Sequence, residues 1–470
     1  MSRLGWTASD IAAAVGGRRI CGNGACSFSG VSIDSRTVHP GDLFVAIRGE
    51  RHDGHRFIGE VLQKGISGVI VAADQTAELP WRQWASRGIF CMAVDDTTEA
   101  LGALAAFNRD RAGITVVAIT GSNGKTTTRS MTAAVIGRMF RTLSTQGNLN
   151  NEIGLPLTLF RLEADHDWAV LELGMNHPGE IRRLARICRP DIGVITNIGA
   201  AHLKDLGTIE GVAAAKGELL EEMGAGATAV LNAEDPHCRR LGGSRPFPVL
   251  WFGLDRRADI RARSIEAAAD GVSFILGFPG TEAPVRLRIP GRFMVMNALA
   301  AAASGWAAGI APEEIVAGVE EFQPVARRMG LIHTRRGITL IDDTYNANPQ
   351  SMRAAIEALC ALRGDRRGIL VLGDMFELGA SAASLHQQVG EWAADSGISR
   401  LCVSGDFAQD YLDGAVRRGM RVQSMFSGTK AALSEDLKRF LEAGDWVLVK
   451  GSRGMAMETV LDDIRNWADA

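Results

Sequence analysis

The hydrophobic positions form two long series of apolar runs separated by helix-length stretches. The first series comprises residues 114–120, 167–173, 191–199 and 227–233. Continuous apolar strands that alternate with helices are typical of a parallel sheet covered on both faces. Between about 259 and 289 the runs shorten and apolar residues alternate with polar ones, which predicts an antiparallel annex to this sheet.

A second series of apolar runs, each followed by a helical stretch, starts near residue 338 and comprises residues 338–343, 368–375, 400–405, 421–426 and 445–452. Five such runs predict a Rossmann-like unit. The first hundred residues instead mix short β-like runs, at 31–34, 43–47 and 68–72, with turn signals, which indicates a small mixed α/β unit.

We therefore predict an α/β protein of three domains, at residues 1–100, 101–325 and 326–470, with the second boundary in the connecting stretch around Gln323 to Arg328. The length of 470 residues agrees with about three domains of roughly 150 residues each. Hydrophobic residues make up 46% and charged residues 22%, which excludes a mainly disordered chain.

The charge balance argues against nucleic-acid binding. The formal net charge is −3, from 51 Lys and Arg against 54 Asp and Glu, whereas nucleic-acid domains usually carry a concentrated basic excess. The seven cysteines are scattered with no C-x-x-C pair, which disfavours a disulfide framework or a structural zinc site and fits a reducing compartment.

Nothing in the apolar runs predicts a membrane segment. The N-terminus lacks the continuous apolar core of a signal peptide, and Thr7 with Asp10 instead predicts a helix cap. No stretch of about 20 uninterrupted apolar residues occurs. We expect a soluble cytoplasmic protein without membrane insertion or a nucleic-acid partner.

The strongest chemical signal is the segment 120–127, TGSNGKTT, which follows an apolar strand and opens a helix. A glycine-rich turn at a helix N-terminus presents backbone N–H groups to a phosphate chain. Lys125 would pair with the β- and γ-phosphates, and the Thr126 hydroxyl would bind Mg²⁺. The strict G-x-x-x-x-G-K-[ST] pattern is missed, because residue 119 is Ile and Gly121 lies three residues before Gly124. We predict that ATP or GTP binds to a P-loop ATPase-like central domain.

Two more polar residues lie where parallel strands end. Glu172 ends an apolar strand, and His202 follows another. Ligands of doubly wound sheets bind at the carboxyl ends of the strands, so both residues are candidates for a Mg²⁺ site with Thr126. A Glu on an exposed edge strand and a structural loop His are the alternatives.

Lys216 lies within the apolar stripe of a predicted helix over 208–223. Burial would disfavour its charged form and leave a neutral amine for covalent chemistry. The alternative is that the side chain extends its ammonium group to solvent, and the pattern alone does not decide between the two.

The run 338–343 ends in two acids, like the strand that holds Mg²⁺ in many P-loop ATPases, although it lies in the C-terminal unit. This separation predicts a site closed between two domains. The polar run from Asp343 to Pro349 is a strand-to-helix loop, and turn chemistry alone accounts for half of its composition.

Taken in order along the chain, these motifs resemble the ATP-dependent Mur ligases of peptidoglycan synthesis. The shared segments are TGSNGKTT, ELG at Glu172, AHL (201–203), AAKGEL (214–219), MNALAAAA (296–303) and DDTYNANPQSM (342–352). LNNEIGLP (149–156), ELGMNHPGEI (172–181) and VLGDMFELG (371–379) are similar to the branch that joins D-alanyl-D-alanine to UDP-N-acetylmuramoyl-tripeptide. Residues 31–58 are similar to the uridine-nucleotide domain of that branch.

The resemblance implies a role for each matching residue. The loop residues Gly121, Ser122, Asn123, Gly124, Lys125, Thr126 and Thr127 would hold ATP, with Asn297, Arg328 and Asp343 contacting the adenine, phosphates and ribose. Glu172 and His202 would bind Mg²⁺, and Lys216 would be carbamylated and ligate a second Mg²⁺. Ser35 and Arg36 would bind the UDP-sugar, and Asn148 and Asn151 would lie near the incoming peptide.

Some points stay open within the resemblance. The choice of Arg328 over the adjacent Arg327 rests on Met329 alone, and no residue is tied to the D-alanyl-D-alanine pocket. The implied enzyme is an amide-forming ligase that works through an acyl phosphate, and we expect a monomer. A folylpolyglutamate synthase-like ligase and a nucleotide-dependent switch ATPase are the alternatives.

Overall fold

The N-terminal part of the chain forms a five-stranded sheet. The computed structural model describes residues 5–49, 52–243, 245–268 and 271–470. The first strands of the chain are β1 (Trp6–Thr7), β2 (Arg18–Cys21), β3 (Ser27–Phe28), β4 (Val31–Ser32), β5 (Leu43–Val45), β6 (Gly68–Ala72) and β7 (Phe90–Val94). Of these, β1 and β3 pair with each other as a separate antiparallel pair. The helices are α1 (Ala8–Val15), α2 (Ile58–Gln63), α3 (Trp81–Ser86) and α4 (Thr97–Ala112), and 3-10 turns occur at Gly54–Phe57 and Ala73–Glu78. The sheet order is β2-β7-β6-β5-β4, with β4 to β7 parallel.

A nine-stranded sheet forms the centre of the molecule. Its strands are β8 (Thr115–Thr120), β9 (Thr142–Ser144), β10 (Trp168–Glu172), β11 (Ile192–Ile195), β12 (Thr228–Asn232), β13 (Val249–Gly253), β14 (Ile260–Ala268), β15 (Gly271–Phe278) and β16 (Thr281–Leu287). The order is β16-β15-β14-β13-β12-β11-β8-β10-β9. The predicted parallel sheet and antiparallel annex are confirmed, and a parallel pairing of β13 with β14 makes them one continuous sheet.

Helices cover both faces of this central sheet. They are α5 (Lys125–Gly137), α6 (Gly154–Leu159), α7 (Glu180–Cys188), α8 (Leu203–Leu206), α9 (Ile209–Glu221), α10 (Pro236–Gly242), α11 (Phe293–Ala307) and α12 (Pro312–Glu320). Successive residues of β8 point to opposite faces: Val116 packs with the core formed by α4, α6, α7 and α9, and Val117 packs with α5, α11 and α12. Burying each such side chain contributes roughly 1.5–3 kcal/mol, so the strand is fixed at the centre of the domain.

The C-terminal part forms a six-stranded Rossmann-like sheet. Its strands are β17 (Gly330–His333), β18 (Thr339–Asp343), β19 (Gly368–Gly373), β20 (Arg400–Ser404), β21 (Met425–Ser427) and β22 (Trp446–Lys450), in the order β17-β18-β22-β19-β20-β21. The helices are α13 (Pro349–Arg363), α14 (Ala382–Asp395), α15 (Ala408–Arg417), α16 (Lys430–Phe440) and α17 (Glu458–Asp469), and 3-10 turns occur at Gly379–Ser381, Val422–Ser424 and Arg453–Met455.

The structure agrees with the predicted α/β class and shows where the local patterns were wrong. The run 421–426 is mostly a 3-10 turn, and its strand is only Met425–Ser427. The antiparallel strand β17 was not predicted. Thr7 and Asp10 form the predicted capping box, and the seven cysteines are free thiols. Within the described ranges, no helix has the length and apolar character needed to cross a membrane.

The boundaries between the domains remain a proposal. The division at residue 100 falls inside α4, which packs against α1 on one side and against α6 and α7 on the other. The connecting stretch around residues 323–328 lies between the end of α12 and the start of β17. We therefore treat α4 as the link between the first two sheets.

Candidate active site

The phosphate loop connects β8 to α5, and two of its positions require glycine. Gly121 has φ +147°, and a Cβ there would lie 1.9 Å from the Thr196 hydroxyl oxygen. Gly124 has φ +80°, and a Cβ there would lie 2.3 Å from the side-chain oxygen of Asn297. The loop can therefore run close to its neighbours and bring the N-terminus of α5, with its positive dipole end, to the carboxyl edge of the sheet.

Residues at the end of β11 hold the loop in shape. The Asn123 carbonyl accepts hydrogen bonds from the Thr196 hydroxyl (2.6 Å) and from the Asn197 side chain (3.1 Å). The Asn123 N–H donates to the Asn197 side-chain oxygen (2.9 Å), and the Ser122 N–H donates to the Asn197 carbonyl (2.9 Å). These bonds order the loop in advance, so little entropy is lost when phosphate binds.

Lys125 and Thr126 begin helix α5. The Lys125 ammonium donates to the Gly121 carbonyl (2.8 Å), and burial lowers its pKa while the negative charge of Glu172 opposes that effect. Thr126 and Thr127 are both buried in the first helical turn. The lysine predicted to bind phosphate therefore lies against the loop, and among the described residues its side chain bonds to the loop backbone alone.

Glu172 is a buried carboxylate at the end of β10. One oxygen accepts a hydrogen bond from the Asn150 side chain (2.9 Å), and its own N–H donates to the Thr145 hydroxyl (3.1 Å). The other carboxylate oxygen, Oε2, is buried and has no hydrogen-bond partner in the described part of the chain. A buried, unpartnered carboxylate oxygen is costly unless it binds a cation. The site therefore fits a divalent metal ion, and the edge-strand alternative is wrong, because β10 pairs with β8 and β9.

His202 precedes helix α8, at the contact between the central and C-terminal domains. Its Nδ1 lies 2.6 Å from an oxygen of Glu377. His202 has φ +56° and Glu377 has φ +63°, conformations that cost L-residues roughly 1–2 kcal/mol each. The pKa of Glu377 is lowered, first by its contact with His202 and further by the nearby charges of Lys204 and His177.

Lys216 on α9 is only 1% exposed. Its side chain has no hydrogen bond or ion pair within the described residues. Burial first, and the nearby charge of Lys125 second, lower its pKa well below the usual value. The alternative in which the ammonium group reaches solvent is wrong, and burial beside the phosphate-loop lysine favours the neutral form of the amine.

The C-terminal domain supplies an arginine to the phosphate loop. The Arg328 guanidinium donates to the Thr126 hydroxyl (2.9 Å), across 202 residues of sequence, and lies 4.1 Å from the centre of the Tyr345 ring. Arg327 turns away and forms an ion pair with Glu458 at 3.0 Å. Of the two adjacent arginines, Arg328 is therefore the one that contacts the phosphate loop.

The loop before α13 also contacts the phosphate loop. The Asn348 side chain donates to the side-chain oxygen of Asn123 (2.7 Å), and the Asn123 side chain donates to that of Gln350 (3.1 Å). Both contacts join the central domain to the C-terminal domain. The segments between which a site was predicted therefore contact each other directly in this structure.

Asn297 and Asp343 lie in different elements, helix α11 and strand β18. Asn297 is buried on α11 behind Gly124 and accepts a hydrogen bond from the Thr128 hydroxyl (3.4 Å). Asp343 ends β18, and its carboxylate receives a 2.5 Å hydrogen bond from the buried ammonium group of Lys450. Burial raises the pKa of Asp343, while Lys450 opposes that effect.

The four candidate substrate residues are engaged locally. Arg36 is 84% exposed at its side chain and bonds to Asp34 through its N–H and guanidinium. The Ser35 carbonyl accepts a hydrogen bond from Lys64 (2.7 Å). The Asn151 side chain accepts from the N–H groups of residues 153 and 154 at the start of α6, and Asn148 is exposed. No hydrogen bond joins these four residues to the phosphate loop in the described structure.

Several residues of the site were missed in the sequence. They are Thr145, Asn150, Thr196, Asn197, Asn348, Gln350, Glu377 and Lys450. Lys450 and Asn197 stand at or beyond the carboxyl ends of apolar runs, the same signal that identified Glu172 and His202. Thr196, directly after β11, carries the same signal, Gln350 lies in the first turn of α13, and the others lie in loops, where no local pattern distinguishes a site residue from a turn residue.

Comparison with known proteins agrees with this geometry. Family models match residues 27–109 (Mur ligase family, catalytic domain), 119–305 (Mur ligase middle domain) and 327–453 (Mur ligase, glutamate ligase domain). The chain is 38% identical, over 92% of its length and 92% of the relative's, to the UDP-N-acetylmuramoyl-tripeptide--D-alanyl-D-alanine ligase of Escherichia coli.

Solved structures give the same result. A crystal structure of MurF from Acinetobacter baumannii superposes with a TM-score of 0.89 at 33% identity, over 99% of this chain and 100% of that one. The MurF ligase of Thermotoga maritima in complex with ADP superposes with a TM-score of 0.81 at 26% identity, over 93% and 97% of the two chains. From the three matched domains and the full-length similarity, this chain belongs to the Mur ligase family.

Proposed function

We propose that the protein joins D-alanyl-D-alanine to UDP-N-acetylmuramoyl-tripeptide at the expense of ATP, giving UDP-N-acetylmuramoyl-pentapeptide, ADP and phosphate. The observation that carries the proposal is the 38% identity, over 92% of both chains, to the relative named for this reaction. The phosphate loop, the buried carboxylate of Glu172 and the buried Lys216, whose pKa is lowered, support it. We place this precursor step of peptidoglycan synthesis in the cytoplasm.

In the first step, a carboxylate oxygen of the tripeptide attacks the γ-phosphorus of ATP. The bond between that phosphorus and the β–γ bridging oxygen breaks, ADP leaves and an acyl phosphate forms. Lys125, which now donates to the Gly121 carbonyl, would turn its ammonium to the transferring phosphoryl group. Arg328 at Thr126 would add a second positive charge from the C-terminal domain.

Thr126, Glu172 and His202 are the residues that would hold Mg²⁺. When bound, the ion would supply positive charge that stabilises the transferring phosphoryl group. The unpartnered Oε2 of Glu172 supports this assignment, because it is an acceptor without a donor. Asn150 fixes the other oxygen of the same carboxylate and so sets the direction in which Oε2 points.

Lys216 would carry a carbamate. Its neutral amine attacks CO₂ to form an N–C bond, and one proton is released, so a buried amine becomes a buried anion. The carbamate anion would attract the ammonium group of Lys125, whose positive charge disfavours the protonated form of Lys216. The carbamate would be the ligand for a second Mg²⁺.

In the second step, the amine of D-alanyl-D-alanine attacks the acyl carbonyl. The carbon–oxygen bond to phosphate breaks, phosphate leaves and the amine nitrogen gives up a proton. We propose that the contacts of Arg328, Asn348 and Gln350 with the phosphate loop mark a closed arrangement that keeps water from the acyl phosphate. Ser35 and Arg36 would bind the UDP end of the substrate, and Asn148 and Asn151 the incoming peptide.

Phosphate release with purified protein tests this assignment. ATP and UDP-N-acetylmuramoyl-tripeptide are supplied with D-alanyl-D-alanine, and in parallel with glutamate, D-glutamate or single amino acids. We expect stimulation by the dipeptide alone. Stimulation by glutamate would favour a folylpolyglutamate synthase-like reaction, and turnover that needs no acceptor would favour a switch ATPase; either result would overturn the proposal.

A further inference from the structure

A contact between two domains involves His202, one of the proposed metal ligands. Glu377, in the C-terminal domain, brings its carboxylate oxygen to 2.6 Å from Nδ1 of His202. In the same place the backbone N–H of Lys204 donates to the Glu377 carbonyl (3.0 Å). The side chain and backbone of one residue thus contact the segment that carries a proposed Mg²⁺ ligand.

Both partners are held in an unusual backbone conformation. Glu377 and His202 each have a positive φ, which is rare for residues other than glycine. Such conformations persist only where surrounding contacts fix them, and they are concentrated at functional sites. We infer that contacts of the surrounding fold hold both residues in place where the two domains meet.

The loop that carries Glu377 is anchored at its base. The Met375 N–H donates to Nε2 of the buried His386 (2.9 Å), and the Phe376 N–H donates to the Ser452 hydroxyl (2.8 Å). These bonds come from two different elements of the C-terminal domain. Glu377 thus moves with its domain as a rigid group and meets His202 only when that domain lies against the central one.

The chemistry of the contact suits a metal-binding histidine. Such a histidine usually directs one ring nitrogen to a carboxylate and leaves the other for the metal. In this structure Nδ1 of His202 is the nitrogen that faces the Glu377 carboxylate. Their distance is that of an ion pair, without the alignment of a full hydrogen bond. Nε2 of His202 is left for a ligand.

We propose that Glu377 is a positioning residue that couples docking of the C-terminal domain to the metal site, by holding the His202 ring with Nε2 directed to the metal. The inference rests on the proposed role of His202 in binding Mg²⁺. The Glu377 side chain is 46% exposed, and such ion pairs contribute little to stability. Its effect is therefore on metal affinity and leaves folding unchanged.

Mn²⁺ titration followed by electron paramagnetic resonance tests the proposal. The protein is mixed with a non-hydrolysable ATP analogue, and the signal of the analogue alone is subtracted. We expect Glu377→Gln to weaken Mn²⁺ binding by about 10-fold, within the range for lost carboxylate partners of metal-binding histidines, and to leave the unfolding temperature unchanged. Mn²⁺ affinity within two-fold of the wild-type value would overturn the proposal.

A matched variant controls for loss of charge. Glu357→Gln removes a carboxylate from the same domain, at an exposed pair with Arg353, and should leave Mn²⁺ affinity unchanged. Equal weakening in both variants would assign the effect to net charge and would also overturn the proposal. If Glu377→Gln does not fold, Glu377→Asp, which withdraws the carboxylate by one methylene, should show the same loss of affinity.

Two further variants separate this inference from the proposed metal site. Glu172→Gln and His202→Asn should each abolish tight Mn²⁺ binding. If both retain wild-type affinity, the metal assignment fails, and the role of Glu377 fails with it. If both lose affinity while Glu377→Gln does not, only the positioning role of Glu377 is wrong.

Discussion

Lys216 in the central domain and Lys450 in the C-terminal domain are both buried, at 1% and 2% exposure. Lys450 is paired: it donates to Asp343 (2.5 Å) and to the Asn346 carbonyl (2.9 Å). Lys216 has no such partner among the described residues, and its pKa is lowered. Pairing stabilises the charged form of a buried lysine, whereas burial without a partner favours its neutral form. The comparison separates a lysine that holds the fold from one that is ready for chemistry.

Two buried carboxylates, Glu172 and Asp374, show the same contrast. Glu172 leaves one buried oxygen unpartnered at the phosphate loop. In the C-terminal domain, the carboxylate of Asp374 accepts hydrogen bonds from the N–H groups of Asp406 (2.7 Å) and Phe407 (3.2 Å). The Glu172 carboxylate thus keeps one acceptor for a ligand among the described residues, whereas both oxygens of Asp374 are used to hold the backbone at Asp406 and Phe407.

The largest expected effect is on activity at Lys216. Lys216→Ala removes the amine that would carry the carbamate, and we expect kcat to fall on the order of 10³-fold, as when a charge-stabilising group is lost. A short-chain carboxylic acid should fill the vacated space and partly restore the rate in the phosphate-release assay. Full activity of the variant would refute a role for the carbamate.

The two lysines should differ in stability when each is replaced by Met. Lys450→Met removes the ammonium group that pairs with the partly buried Asp343, and we expect the free energy of unfolding in urea to fall by about 3–5 kcal/mol. Lys216→Met exchanges an unpaired amine for an apolar group of similar length and should cost less than about 1 kcal/mol. Adding Asp343→Asn to Lys450→Met should recover much of the loss. Equal losses at the two lysines would show that their environments do not differ as described.

The adjacent arginines provide a smaller test. Arg328→Ala removes the contact with Thr126, and we expect the KM for ATP to rise about 10-fold, equal to about 1.4 kcal/mol. Arg327→Ala breaks only the ion pair with Glu458 and should leave the KM for ATP nearly unchanged. Steady-state kinetics of both variants measure the difference, and the reverse order would contradict the orientation of the two side chains.

The smallest expected effect concerns His386. Burial lowers its pKa, and its Nε2 accepts the Met375 N–H, so the folded state holds the neutral ring. The unfolded chain binds a proton below about pH 6.5, so stability falls as the pH falls from there, by at most about 1.4 kcal/mol per pH unit from this group. Unfolding temperatures at pH 7.5 and 5.5 should differ less in His386→Gln than in the wild type. An unchanged difference would exclude His386 as the source.

Features that lie within one continuous segment of the chain could be predicted from the sequence. The phosphate loop is a continuous segment, and the apolar stripe of α9 placed Lys216 inside the protein. The stripe could not show whether a partner met the amine, because that depends on side chains from other elements. Lys450 ends an apolar strand, as Glu172 does, yet its partner Asp343 is 107 residues away in the sequence.

Contacts across long sequence separations were the ones that pattern analysis missed. The pairing that joins the annex to the main sheet was also missed, although β13 and β14 pair at Phe252 and Ile260, only eight residues apart. Asn123 and Gln350 are 227 residues apart. Arg327 and Arg328 carry the same charge at neighbouring positions, and their different partners, Glu458 and Thr126, come from distant parts of the chain.

The central claim is that Lys216, unlike Lys450, presents a neutral amine that takes up CO₂. Nuclear magnetic resonance of the protein in ¹³C-labelled bicarbonate tests it directly. We predict a carbamate carbon signal in the wild type and in the Lys450→Met, Asp343→Asn double variant, and none in Lys216→Met. Absence of the signal from the wild type, or its persistence in Lys216→Met, would contradict the account.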